Sequence, residues 1–217
     1  MKRTALLLAC ASLLGLSSGC VTGTRSLGVN VAPSETPLAS PTRGALAIGQ
    51  INDQRTFQNH PDDPSTPSID GDVTQLSPAA KSTYIGRQRN TWGHAMGDIA
   101  LPNGQTVQGK VSELLAEGLR RRGYSIVGTD KTDNRVSADV QQFWSWMTPG
   151  FFALSFEVRI QSTVVITKDG KSSTLTVSGY GLNHGQFAKD SNWSEAFDIA
   201  FSDYLKNLDD QLSKAGL

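Results

Sequence analysis

Apolar side chains fall at every second position in three consecutive runs in the C-terminal half of the chain. Val136, Ala138, Val140, Trp144 and Trp146 share one face of the first run. Phe152, Leu154, Phe156, Val158, Ile160, Val164 and Ile166 share one face of the second, and Leu175 and Val177 one face of the third. A period of two predicts strands with a single buried face. Asp169-Gly170 suits a two-residue hairpin turn, which sets Val164 opposite Leu175 and Ser162 opposite Val177, so the two apolar faces agree. At Pro149-Gly150 a two-residue turn would bring Arg159 against Val140. An odd-length loop, with Trp144 facing Leu154 and Val140 facing Val158, restores agreement. The expected sheet is an antiparallel meander with one apolar face.

Two other stretches repeat at helical spacing. Val107, Val111, Leu114, Leu115 and Leu119 form one stripe, ending at Gly123, which suits a left-handed C-terminal cap with Tyr124 folding back on Leu119. Arg120, Arg121 and Arg122 complement the dipole at that end, and Glu117 is placed to pair with Arg121. Trp193, Phe197, Ala200, Phe201, Tyr204, Leu208 and Leu212 form the second stripe, with Asn192 and Glu195 spaced as a capping box. Both helices are expected on the apolar face of the meander, an α+β two-layer sandwich.

The remaining chain is punctuated differently. Residues 44–52 read as a buried strand ending at Asp53-Gln54-Arg55, and Leu27, Val29 and Val31 alternate as a short edge strand would. From Thr56 to Thr106 no helical period holds, and five of the nine prolines fall there, so 56–106 is expected to be a long loop insertion.

Charge and cysteines then bound the function. Twenty basic against 20 acidic residues offer no cationic excess for a nucleic acid. At the N-terminus Lys2 and Arg3 precede an apolar run from Thr4 to Leu16 and the small residues Ser17-Ser18-Gly19. This is a secretory signal, shorter than the roughly 20 apolar residues a bilayer span needs. Both cysteines, Cys10 and Cys20, lie within it, so no disulfide is expected in the exported domain. Ser17-Ser18-Gly19-Cys20 resembles a bacterial lipobox, with Ser17 where Leu is usual; Leu7-Leu8-Ala9-Cys10 fits that consensus locally but leaves a very short apolar run. The resemblance implies a signal peptide over 1–19, acylation of Cys20, a flexible tether over 20–43 and a single periplasmic domain over 44–217. Val21 in place of Asp implies the periplasmic face of the outer membrane of a Gram-negative bacterium.

The strand ending in Asp53-Gln54-Arg55, the helix ending in Arg122-Gly123-Tyr124, the meander and the terminal helix together resemble the YajG-like family of uncharacterised bacterial lipoproteins. The resemblance implies a fold and a compartment, and no active site. The insertion after Arg55 and the aromatic hairpin depart from it, and Arg87-Gln88-Arg89-Asn90 followed by Gly93 and Gly97 looks more like loosely related lipoproteins.

No catalytic constellation, metal set or cofactor motif emerges. Gly104 to Lys110 has phosphate-loop spacing but places Val111 where a hydroxyl must hold magnesium, and His60, Asp62, Asp63, Asp70 and Asp72 fit no ligand pattern. A non-catalytic protein is expected. Its most informative feature is six aromatic side chains between Phe143 and Phe156. Phe143, Met147 and Phe151 are expected on the other face or at the tip, where they meet an envelope protein or a second copy, unless the 56–106 insertion covers them. The alternative is a binding module for an envelope polymer or small ligand, with Arg55, Arg87, Arg89, Asn90 and Trp92 as its contacts.

Overall fold

The computed structural model describes residues 23–33, 42–90 and 94–217. Cys20 and Trp92 lie outside the described residues. The elements in order are β1 (Gly23–Ser26), β2 (Ala45–Asp53), a 3-10 turn at Val73–Gln75, α1 (Pro78–Lys81), β3 (Tyr84–Arg89), β4 (Ala95–Ala100), α2 (Val107–Arg121), β5 (Ser125–Val127), β6 (Arg135–Pro149), β7 (Leu154–Lys168), β8 (Lys171–Gly185) and α3 (Asp190–Lys214).

The sheet corrects the expected antiparallel meander. It is a single mixed sheet of eight strands, and four of its pairings, β1 with β4, β2 with β5, β2 with β6 and β3 with β6, are parallel. Strands β6, β7 and β8 do pair antiparallel along their lengths, and Val164 faces Leu175 and Ser162 faces Val177. What alternation could not reveal is the other edge of β6. Its first half pairs with β2 and its second half with β3, two segments distant in sequence. The insertion is therefore no loop throughout, since it supplies β3 and β4. Residues 23–29 also join the fold, where β1 forms one sheet edge and Leu27 and Val29 are buried.

The hairpin register differs from the expected one for an identifiable reason. The connection occupies residues 150–153, so Pro149 faces Leu154 and Trp144 pairs with Arg159 rather than Leu154, and a bulge between Val140 and Gln142 then shifts the register by one further residue. Val136, Ala138 and Val140 face the helices before the bulge; beyond it Phe143 and Met147 do so. Phe143 packs against Phe197 and Phe201, at 5.7 and 6.1 Å between ring centroids. Trp144 turns to the opposite face, edge-on to Phe57 at 5.8 Å, with its Nε1 donating to the Pro64 carbonyl at 3.2 Å. Segment 54–72 thus covers that face.

Helices α2 and α3 cover the other face. Helix α2 ends as expected, with Gly123 at φ +87° and the Tyr124 amide donating to the Leu119 carbonyl at 3.0 Å. Helix α3 starts two residues before the expected cap. Asn192 lies inside it, its side chain donating to the Phe187 carbonyl at 2.8 Å. Helix α3 lies so close on β8 that a Cβ at Gly181 would stand 2.0 Å from the Ala196 carbonyl oxygen. Two of its side chains also reach around the outer edge of β8. Asn207 accepts from the Ser178 amide at 3.1 Å and Asp203 from the Tyr180 amide at 2.9 Å.

Candidate functional site

The cationic residues expected to bind a ligand are, first of all, structural. Arg55 follows β2, and its guanidinium is wholly buried. Nε and Nη2 donate to the two carboxylate oxygens of Asp53 at 2.8 and 2.7 Å. Nη1 donates to the Tyr84 and Phe143 carbonyls at 2.7 and 2.8 Å, and Nη2 to the Lys81 carbonyl at 3.1 Å. The Phe57 ring lies 5.2 Å away. Every donor direction is spent on the fold, so Arg55 presents nothing to a ligand.

Arg87 on β3 is likewise buried. It donates to the Ile69 carbonyl and to Asp70 at 3.3 Å, and lies 3.5 Å from Asp98 on β4. Burial pushes the Asp98 carboxyl up, against the Asp70 amide and Arg87, which draw it down. These contacts hold the 59–74 segment across the sheet. At its far end Asp72 accepts from the Asn59 side chain and the Thr74 amide, both at 2.9 Å, and these bonds lower its carboxyl from 3.8 to about 2.

A pH dependence follows with a definite sign. A depressed folded-state value means that the stabilisation is complete above pH 3.8 and is lost as the pH falls through about 2. Amide protection at Val73 and Thr74 is expected to fall over that interval. Asp72→Ala removes the dependence, and undiminished protection at pH 2 in the unsubstituted protein would overturn the assignment.

Between this segment and the hairpin stem lies a cleft of about 440 Å³, lined by His60, Asp62, Arg89, His94, Met147 and Thr148 among others. Arg89 Nη2 donates to the Pro61 carbonyl at 3.2 Å, and burial, then Arg87, lowers the guanidinium's pKa. Asn90 is tied to His94 just ahead of β4: its amide donates to the His94 carbonyl at 2.8 Å, and its side chain accepts from the His94 amide at 2.9 Å. Among the described residues no three His, Cys, Asp or Glu side chains gather as a metal-holding group.

Phe143 and Met147 are buried, contrary to expectation, because the bulge turns them into the helix-facing core. Phe151 does stand at the tip, 94% exposed. Phe152, expected on the buried face, is 83% exposed beside it, the two rings meeting edge to face at 4.7 Å. The connection spans residues 150–153, so β7 begins only at Leu154. Gln186 donates to the Phe152 carbonyl at 3.1 Å, and the next residue, Phe187, is 68% exposed with the Lys189 ammonium 5.8 Å from its ring. Sequence reasoning missed Phe187. The signal was available, since this large apolar residue falls between the third strand and the second helical stripe and belongs to neither.

No family model and no curated protein matches the chain. Among solved structures, protein XCC0632 from Xanthomonas campestris, of the DUF330 family, is similar at 13% identity and a TM-score of 0.47, over 89% of this chain and 97% of that one. A structure described as an uncharacterized protein is similar at 8% identity and a TM-score of 0.43, over 88% of this chain and 98% of that one. The hypothetical protein CT253 from Chlamydia trachomatis follows at 9% identity and 0.36, over 80% and 96%. The structural neighbours are thus DUF330 and uncharacterised bacterial proteins.

Proposed function

We propose that this chain is a non-catalytic lipoprotein, akin to the YajG-like lipoproteins, held by acyl chains on Cys20 at the periplasmic face of the outer membrane of a Gram-negative bacterium. It acts there as an accessory component, by contact rather than by chemistry. The observation that carries this is the hairpin end, where Phe151, Phe152 and Phe187 are offered to a partner while the buried cations, Arg55 and Arg87, are engaged in the fold. The sequence supports the anchor through the signal segment and the small residues before Cys20.

Intact mass of the protein purified from membranes tests this reading. Acyl mass on Cys20 is expected, and Cys20→Ser is expected to move the protein from the membrane fraction to the soluble periplasm. An unmodified sulfur in the native product would overturn the proposal. A second reading, a module for an envelope polymer, is favoured by the cleft between Arg89, His60 and His94. Peptidoglycan cosedimentation that survives Arg89→Ala would remove it.

A further inference from the structure

The described chain begins at the same end of the fold as the aromatic hairpin. Gly23 of β1 pairs with Gly97 of β4, which pairs with Gln88 of β3. Arg87, one residue earlier, pairs with Trp146, so Gly23 stands level with Met147, just short of the end of β6. Three inter-strand steps separate them laterally, roughly 14 Å. Strand β1 runs inward from that end, because Ser26 pairs with Ala100. On the helix side Arg25 pairs with Asp190 at 3.0 Å, three residues past Phe187. Gly23, the hairpin tip and Phe187 therefore share one end of the molecule. Cys20 precedes Gly23 by three residues, which can span no more than about 11 Å.

We propose that Phe151, Phe152 and Phe187 form a membrane-contact patch that enters the same bilayer leaflet as the acyl chains on Cys20. The inference rests on the lipid anchor proposed above. So short a reach between sulfur and sheet keeps the hairpin end at the lipid surface. Aromatic rings favour the headgroup boundary, where one side meets acyl chains and the other meets water. The exposed Lys189 beside Phe187 can keep its ammonium among anionic headgroups while its stem lies along apolar surface. The patch adds a protein contribution to a lipid one, and with it an orientation. The strands stand end-on to the bilayer, and the Asp169-Gly170 turn points away from it.

The test uses the acylated full-length protein, whose Cys20 is occupied by lipid, reconstituted on vesicles of phosphatidylethanolamine and phosphatidylglycerol. Phe151→Cys carries an environment-sensitive dye, with Lys131→Cys, at the opposite end, as the control. The dye at position 151 is expected to shift to the blue, to lose most of its iodide quenching and to be quenched by nitroxide-labelled lipid, while the dye at 131 stays aqueous. A companion pair replaces Phe152 and Phe187 with Ser in the Phe151→Cys protein, and the shift is expected to collapse. Emission at 151 that matches 131 on protein-free vesicles overturns the proposal and leaves the tip to a protein partner. Intact mass separates the two failures. Unmodified Cys20 defeats the anchor and this proposal with it, whereas acylated protein with an aqueous tip defeats this proposal alone.

Discussion

Replacing Gly181 with alanine is expected to cost about 3 kcal/mol of folding stability, at the upper end of what overpacking a well-filled interior usually does. Helix α3 lies on β8 backbone to backbone here. The added Cβ would stand 2.0 Å from the Ala196 carbonyl oxygen and 2.7 Å from the Ala200 amide nitrogen. Neither atom belongs to a side chain that can swing aside. To relieve the clash the whole helix must lift, and it carries Trp193, Phe197, Ala200 and Tyr204, all with negligible exposure. The buried hydrogen bond between Tyr204 and Ser162, 2.6 Å, would be strained by the same movement. In a chain of this size the melting temperature should drop by about 6–12 °C. Urea unfolding checks this, and a loss below about 1 kcal/mol would mean the helix can shift at little cost.

Arg55→Ala is expected to be as severe or worse, about 3–5 kcal/mol, because it leaves a buried partner charge behind. The Asp53 carboxylate loses both guanidinium bonds and keeps only that of the residue-55 amide, at 3.2 Å, and the carbonyls of Tyr84, Phe143 and Lys81 lose a donor together. These carbonyls belong to three separate parts of the fold, the α1 end, β3 and β6. Arg55 therefore joins the insertion to the sheet as well as neutralising Asp53. Lysine should not rescue it, since a single ammonium cannot point at Asp53 and at three carbonyls in fixed directions. Calorimetry on both variants decides this. Lys at full stability would show that charge alone, without the planar fork, suffices.

The parts of this fold legible in the sequence were those set by local periodicity. The β7–β8 register, helix α2 and its Gly123 cap each follow from residues that meet within a short stretch of chain. The mixed sheet was not legible for the opposite reason. Strands β2 and β3 reach β6, and β4 reaches β1, across long sequence separations, while the local β3–β4 pair sits among prolines and glycines that read as loop. The bulge after Val140 misled most directly, since one extra residue exchanges the faces of Phe143 and Trp144 without any break in the polar and apolar pattern. Of the candidate site, Phe151 was placed correctly at the tip. Arg55 and Arg87 looked like ligand contacts because a cation that neutralises a buried carboxylate and one that awaits a ligand are the same letter.

The outer margin of β8 bears on how copies of this protein could meet. A terminal strand of fifteen residues ordinarily invites another chain to extend the sheet, the route by which folded proteins template fibres. Here the amides of Ser178 and Tyr180 are already taken by Asn207 and Asp203, so an incoming strand would find rungs at the middle of β8 occupied. Removing those two acceptors would open the middle of this margin to an added strand and is expected to favour polymerisation.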